Sequence, residues 1–194
     1  MKQVLALLAV LLPASAGAQV QADSGAFVAT LGHDTVAVER YIRTPSMLRV
    51  RQLTRLPESR LVDATVRWND DGRLLGYEQI SSPIPRTGGA AQMRTTATVI
   101  GDSLRIEVVQ GNGAPRVRMI RADAHVPFLN LTYSIYEALI QRGRAGRASE
   151  LSLLSTGGKV TYSAAWSDHA VRLTHPQGGT IRITLDRNGR MIAF

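Results

Sequence analysis

Residues Pro127–Arg142 read PFLNLTYSIYEALIQR, and this stretch decides the fold. Proline suits the first position of a helix, where its missing N–H costs nothing, and Gly143 suits the stop. Arg142, Arg144 and Arg147 lie at or beyond the negative end of the helix dipole. Asn130, Ser134, Glu137 and Gln141 recur at spacings of four, three and four, which makes one narrow polar stripe. Phe128, Leu129, Leu131, Tyr133, Ile135, Tyr136, Ala138, Leu139 and Ile140 take most of the remaining circumference. A helix on a flat sheet needs an apolar arc of only about 100°, whereas this one is apolar over about two-thirds of its girth. It is expected inside a concavity, gripped on several sides, with its polar strip meeting solvent at the mouth.

On both sides of that helix the apolar period is two, the mark of half-buried strands. Phe27–Leu31 and Thr35–Arg43 flank the turn Gly32-His33-Asp34, and Leu61–Trp68 places Val62, Ala64, Val66 and Trp68 on one face. Gly-, Asn-, Asp- and Pro-rich turns recur at hairpin spacing as far as Arg190–Phe194. Within this pattern Val66–Tyr77 (VRWNDDGRLLGY) aligns without gaps to Ile183–Phe194 (ITLDRNGRMIAF), two hairpins with the same turn chemistry. The predicted fold is mainly β with one α-helix: a curled antiparallel sheet or half-barrel of about 11 strands wrapped around a single buried helix.

Residues 1–18 read as a signal peptide. Lys2 precedes the apolar run Val4–Leu12, Pro13 breaks it, and Ala16-Gly17-Ala18 offers a cleavage site. The run is too short for a spanning helix, which needs about 20 residues, and no longer apolar stretch follows, so no transmembrane segment is expected. Residues 19–25 form a flexible lead-in, and 26–194 a single domain. A periplasmic or secreted location follows. The chain has no cysteine, which excludes thiolate chemistry and disulfides. The formal charge of +8 comes almost wholly from dispersed arginines, with few aromatic residues between them, so no nucleic-acid surface is expected.

In leader, size and architecture over Phe27–Phe194 the chain resembles the bacterial lipoprotein-carrier superfamily, the periplasmic half-barrels related to the lipoprotein localisation factor. Leu31–Glu39 (LGHDTVAVE) is similar to the first hairpin of a group of uncharacterised secreted bacterial proteins. No lipobox cysteine follows the leader, so the resemblance is to a soluble member. It implies an apolar or amphipathic, lipid-like ligand held in the concavity without catalysis. The expected lining is Trp68, Tyr133, Tyr136, Leu139, Ile140 and Trp166. Glu39 is the expected polar contact, because alternation puts it on the dry face with Phe27, Ala37 and Tyr41, where a carboxylate must be paired or protonated.

Two other functions compete. One is a protein-interaction module whose barrel is filled by its own helix and whose Arg-rich outer face or edge strands bind a periplasmic partner. A cavity of a few hundred Å³ beside the helix would favour the ligand over this. The other is a hydrolase, which needs His169, His175 or Ser134 to converge with an acid. His33, His125, His169 and His175 lack metal-ligand spacing, and no G-x-S-x-G elbow occurs. No catalytic residue, metal site or cofactor is therefore assigned. The C-terminal Phe194 does not make an outer-membrane barrel, since Arg190 and Asn188 break the alternation behind it.

Overall fold

The computed structural model describes residues 22–55, 58–84, 92–129 and 132–194. The expected leader at 1–18 and residues 19–21 of the lead-in lie outside them. Eight strands follow one another as a meander: β1 (Asp23–Leu31), β2 (Asp34–Thr44), β3 (Met47–Thr54), β4 (Arg60–Trp68), β5 (Leu74–Pro83), β6 (Met93–Ile100), β7 (Ser103–Gln110) and β8 (Arg116–Arg121). Strand β1 begins at Asp23, so the end of the expected lead-in is already sheet. The chain then forms β9 (Val126–Pro127), the helix α1 (Tyr133–Arg144), β10 (Glu150–Ser155), β11 (Gly158–Trp166), β12 (Ala170–Thr174), β13 (Thr180–Leu185) and β14 (Met191–Ala193). These six strands make a second sheet in the order β14-β13-β12-β11-β10-β9.

The protein is mainly β, an antiparallel half-barrel around one helix, as the periodicity indicates. The described residues hold fourteen strands, more than the expected eleven, and they divide into two sheets. Period-two patterning shows clearly in β3, where Leu48, Val50, Gln52 and Thr54 are buried and the residues between them exposed. The dry faces of both sheets and α1 share one hydrophobic cluster, including Leu48, Val66 and Leu104 from the first sheet, Leu153, Val171, Leu173 and Ile183 from the second, and Ile135 and Ile140 from the helix.

The helix departs from expectation at its start. Val126–Pro127 is not helical but pairs in parallel with Leu153–Leu154, and the Phe128 N–H donates to the Leu154 carbonyl at 2.8 Å. The missing N–H of proline suits a helix start and an edge strand equally, and β9 is an edge strand. Asn130 and Leu131 fall outside the described residues. Gly143 is not the stop either. It lies buried within α1, where an added Cβ would sit 2.2 Å from Leu151 Cδ2, so its value is close approach to β10.

From Ser134 to Ile140 seven consecutive helical residues are buried. At 100° per residue these cover the whole circumference, so this stretch of α1 is enclosed on every side. The polar strip expected at the mouth is buried with it at Ser134 and Glu137, because it faces charged groups of β2 instead of water; Gln141 alone of its described members is exposed.

Arginines of the last helical turn tie α1 to both sheets. Arg142 Nη1 donates to the Gly72 carbonyl at 2.7 Å, and Arg144 Nη1 to the Asn188 carbonyl at 2.5 Å. The two turns they hold are the pair that align in sequence. In each, an Asn or Asp side chain accepts the N–H four residues on, Arg73 to Asn69 at 2.8 Å and Arg190 to Asp186 at 2.7 Å. Gly72 and Gly189 take φ of 75° and 78°, a left-handed conformation that favours glycine.

Enclosure sets a contrast between two isoleucines. Ile140→Ala, at a fully buried site, is expected to cost about 2–5 kcal/mol in chemical denaturation. Ile192→Ala, where the side chain is 63% exposed, is expected to stay within about 0.5 kcal/mol.

Candidate functional site

Strand β2 carries the polar groups of the site at alternate positions: Glu39, Tyr41 and Arg43 all reach α1. Glu39 is fully buried. Its Oε2 accepts the Tyr133 N–H at 2.7 Å and its Oε1 the Ser134 N–H at 2.8 Å. The first N–H groups of a helix have no intrahelical acceptor, and here a carboxylate from a distant strand takes two of them. Its charge faces the positive end of the helix dipole. Gln52 Nε2, directly across the sheet, donates to Glu39 Oε2 at 3.5 Å. Burial pushes the Glu39 carboxyl above the ordinary carboxylate range; the Ser134 hydroxyl and the two amides oppose this, and the nearby Glu137 adds to it.

Glu137, one turn further along, is also fully buried. It accepts the Tyr41 O–H at 3.0 Å and Gln141 Nε2 at 3.4 Å, and Arg43 Nη2 stands 3.6 Å away. The Tyr41 hydroxyl is pushed up to about 12, first by burial and then by the Glu137 carboxylate. Arg43 Nη2 also bonds Asp23 at 2.5 Å, and Asp23 pairs in turn with Arg190 beside β14. Arg43 Nη1 is shut from solvent and has no hydrogen-bond partner.

Beside this network a cleft of about 370 Å³ opens against the helix. Asp23, Arg43, Thr44, Pro45 and Trp68 line it from the first sheet, and Ala138, Gln141 and Arg142 from α1. Trp68 is fixed by its Nε1, which donates to the His125 carbonyl at 2.6 Å. The Arg142 guanidinium lies 4.8 Å from the centre of the Trp68 ring, a cation–π distance. Burial pulls Arg142 below its ordinary range.

Of the residues expected to line a site, Trp68 lines this cleft. Glu39 meets the helix, as a cap. Leu139 and Ile140 lie in the core, and Trp166, half-buried, donates its Nε1 to the Ala148 carbonyl at 2.8 Å. Tyr133 and Tyr136 pack on Phe194 at ring separations of 5.4 and 5.1 Å, and Phe27 lies 6.3 Å from Tyr133. That aromatic group joins β1, α1 and the residue that follows β14. Arg43 was not among the residues expected at the site, and Gln141 was expected only as part of the polar stripe. Alternation from Glu39 through Tyr41 would have found Arg43, whereas the position of Gln141 depends on how the helix is rotated between the sheets.

Of the groups considered for hydrolysis, Ser134 does meet an acid, Glu39, but both are buried. His175 accepts the Gln177 N–H in its own turn, and the neighbour of His169, Asp168, pairs with Arg147 at 3.5 Å. A second, larger concavity of about 720 Å³ lies on the outer face of β1–β5, where Arg40, Arg49 and Arg51 are exposed beside Asp63 and Glu78. No described helix is long and apolar enough to cross a membrane.

No protein-family model and no curated protein matches the chain. Among solved structures, a DUF1089 family protein from Pseudomonas aeruginosa resembles it with a TM-score of 0.58 at 11% identity, over 83% of this chain and 90% of that one. The likeness is one of fold: a β-rich architecture shared along nearly the whole of both chains.

The cap has a measurable signature. Glu39→Ala leaves two buried amides without acceptors and is expected to cost about 3 kcal/mol or more. Glu39→Gln can still accept one of them and should cost less. Because the folded carboxyl is raised, its contribution to stability is complete at acid pH and falls as pH climbs from the ordinary carboxylate value through the raised one. The wild-type advantage over Glu39→Gln should therefore narrow with rising pH in urea titrations; a constant gap would show that Glu39 does not titrate differently on folding.

Proposed function

We propose that this is an exported protein that binds an amphipathic, lipid-like ligand without catalysis, in the cleft between β2, Trp68 and α1. The observation that carries this is an open cleft of about 370 Å³ against a helix whose residues 134–140 are buried. Small-ligand sites are concave, of about 300–1,000 Å³, with apolar walls and a few convergent polar groups. Pro45, Ala138 and the Trp68 ring offer the apolar part; Arg43, Gln141 and Arg142 offer the polar part. The leader-like sequence at 1–18 supports export. The resemblance to periplasmic lipoprotein-carrier half-barrels supports a ligand of this class.

A second reading, a periplasmic protein partner on the outer face, draws on the larger concavity across β1–β5. Reversing Arg40 and Arg49 to Glu separates the two, since it alters that face and leaves the cleft intact.

Gln141→Trp, at an exposed position of the cleft wall, is expected to fill the cleft without unfolding the protein. Native mass spectrometry of protein exported to the periplasm should show a co-purifying small mass in wild type and its loss in the variant, with an unchanged thermal midpoint. A mass equal to the bare chain, together with no uptake of a fluorescent fatty acid, would refute the ligand site.

A further inference from the structure

We infer that the ligand of the cleft carries an anionic head group, held by Arg43 and Arg142, with its chain against Pro45, Ala138 and Trp68. This rests on the reading of the cleft as a ligand site and specifies the class of ligand.

Two guanidinium groups line the cleft. Arg43 lines the cleft with one guanidinium nitrogen already committed to Asp23 and Glu137, while its Nη1 is buried with no acceptor. Arg43 cannot lose its charge, and with Nη1 sealed from solvent it acts on the cleft as a fixed positive charge. Arg142 spends Nη1 on the Gly72 carbonyl and rests its face on Trp68; a guanidinium carries five N–H donors, so further ones remain at the cleft. Paired oxygens of a carboxylate or phosphate match this fork geometry, and an uncharged sugar or alcohol does so less well.

Charge balance agrees. Asp23 and Glu137 are the carboxylates in contact with Arg43, and Arg190 lies on Asp23. Among the residues that line the cleft, two guanidinium groups, of Arg43 and Arg142, stand against one carboxylate, of Asp23. An anion brings this group toward neutrality, whereas a cation adds to its excess. Both carboxylates are already engaged, so neither needs a cationic ligand. The apolar stretch beside the donors distinguishes an amphiphile from a free anion.

The test compares dodecanoate with dodecyl maltoside, equal in chain and different in head, each below its micelle concentration. Acetate and inorganic phosphate serve as chainless anions, and tryptophan emission and calorimetry are the readouts. Dodecanoate should bind about tenfold more tightly than the maltoside, from a charge-assisted hydrogen bond. That advantage should vanish in Arg142→Gln and in Arg43→Gln. Arg43 has buried partners and its variant can fail to fold; Arg142→Gln gives up one exposed hydrogen bond, to the Gly72 carbonyl, and its contact with Trp68, and an unchanged thermal midpoint keeps the test decisive. Equal binding of the two amphiphiles would overturn the anionic head group and leave the ligand site standing. Binding of neither would overturn the site itself. Acetate or phosphate binding as tightly as dodecanoate would overturn the amphiphile in favour of a bare anion site.

Discussion

A helix buried on every side must find acceptors for its first amides inside the protein, because no water reaches them. In α1 the Glu39 carboxylate supplies two of these acceptors, reaching across from β2 to the Tyr133 and Ser134 N–H groups. Much of the architecture follows from this one contact. It fixes the height of the helix against the first sheet and brings Glu137 opposite Tyr41 and Arg43. It also presents Ala138, Gln141 and Arg142 to the cleft. Removal of the carboxylate would leave amides buried and unpaired at the point where the core is most enclosed.

The opposite end of the helix is held by complementary means. Glu39 is a negative group at the positive pole of the dipole; Arg142 and Arg144 are positive groups at the negative pole. The arginines do more than complement charge, since each binds a backbone carbonyl in a turn of a different sheet. Those turns share their glycine conformation and their side-chain-to-backbone hydrogen bonds. Similar turn chemistry thus provides two matching sockets, and a single helix terminus links the two sheets through them. Arg142 also covers Trp68, so the same side chain closes the scaffold and lines the cleft.

Strands were legible in the sequence because alternation and turn residues are local signals. The enclosure of α1 was legible for the same reason, from the width of its apolar arc. Its start was not, because Pro127 is compatible with a helix and with an edge strand, and only pairing with Leu153–Leu154 decides between them. The division into two sheets was hidden similarly: period two says that a strand has a dry face, not which neighbour it joins. Glu39 was identifiable as a buried carboxylate that must be paired or protonated, but its partner was not. The partner is backbone amide, which leaves no trace in composition. The polar stripe was read correctly as a stripe and wrongly as a solvent boundary, since a helical surface facing buried acids and one facing water use the same residues.

The cleft exists where the helix and the β2–β3 turn do not close on each other, and it inherits its chemistry from the tethers around it. Amide hydrogen exchange at Tyr133 and Ser134 tests the underlying contact most directly. Both amides lie in the first turn, where an uncapped helix frays and exchanges rapidly. Exchange as slow as that of the Ile140 amide, governed by global unfolding, is the expected result. Exchange of the two near free-peptide rates, with Ile140 still protected, would show that Glu39 does not hold the helix and would remove the basis for the scaffold described.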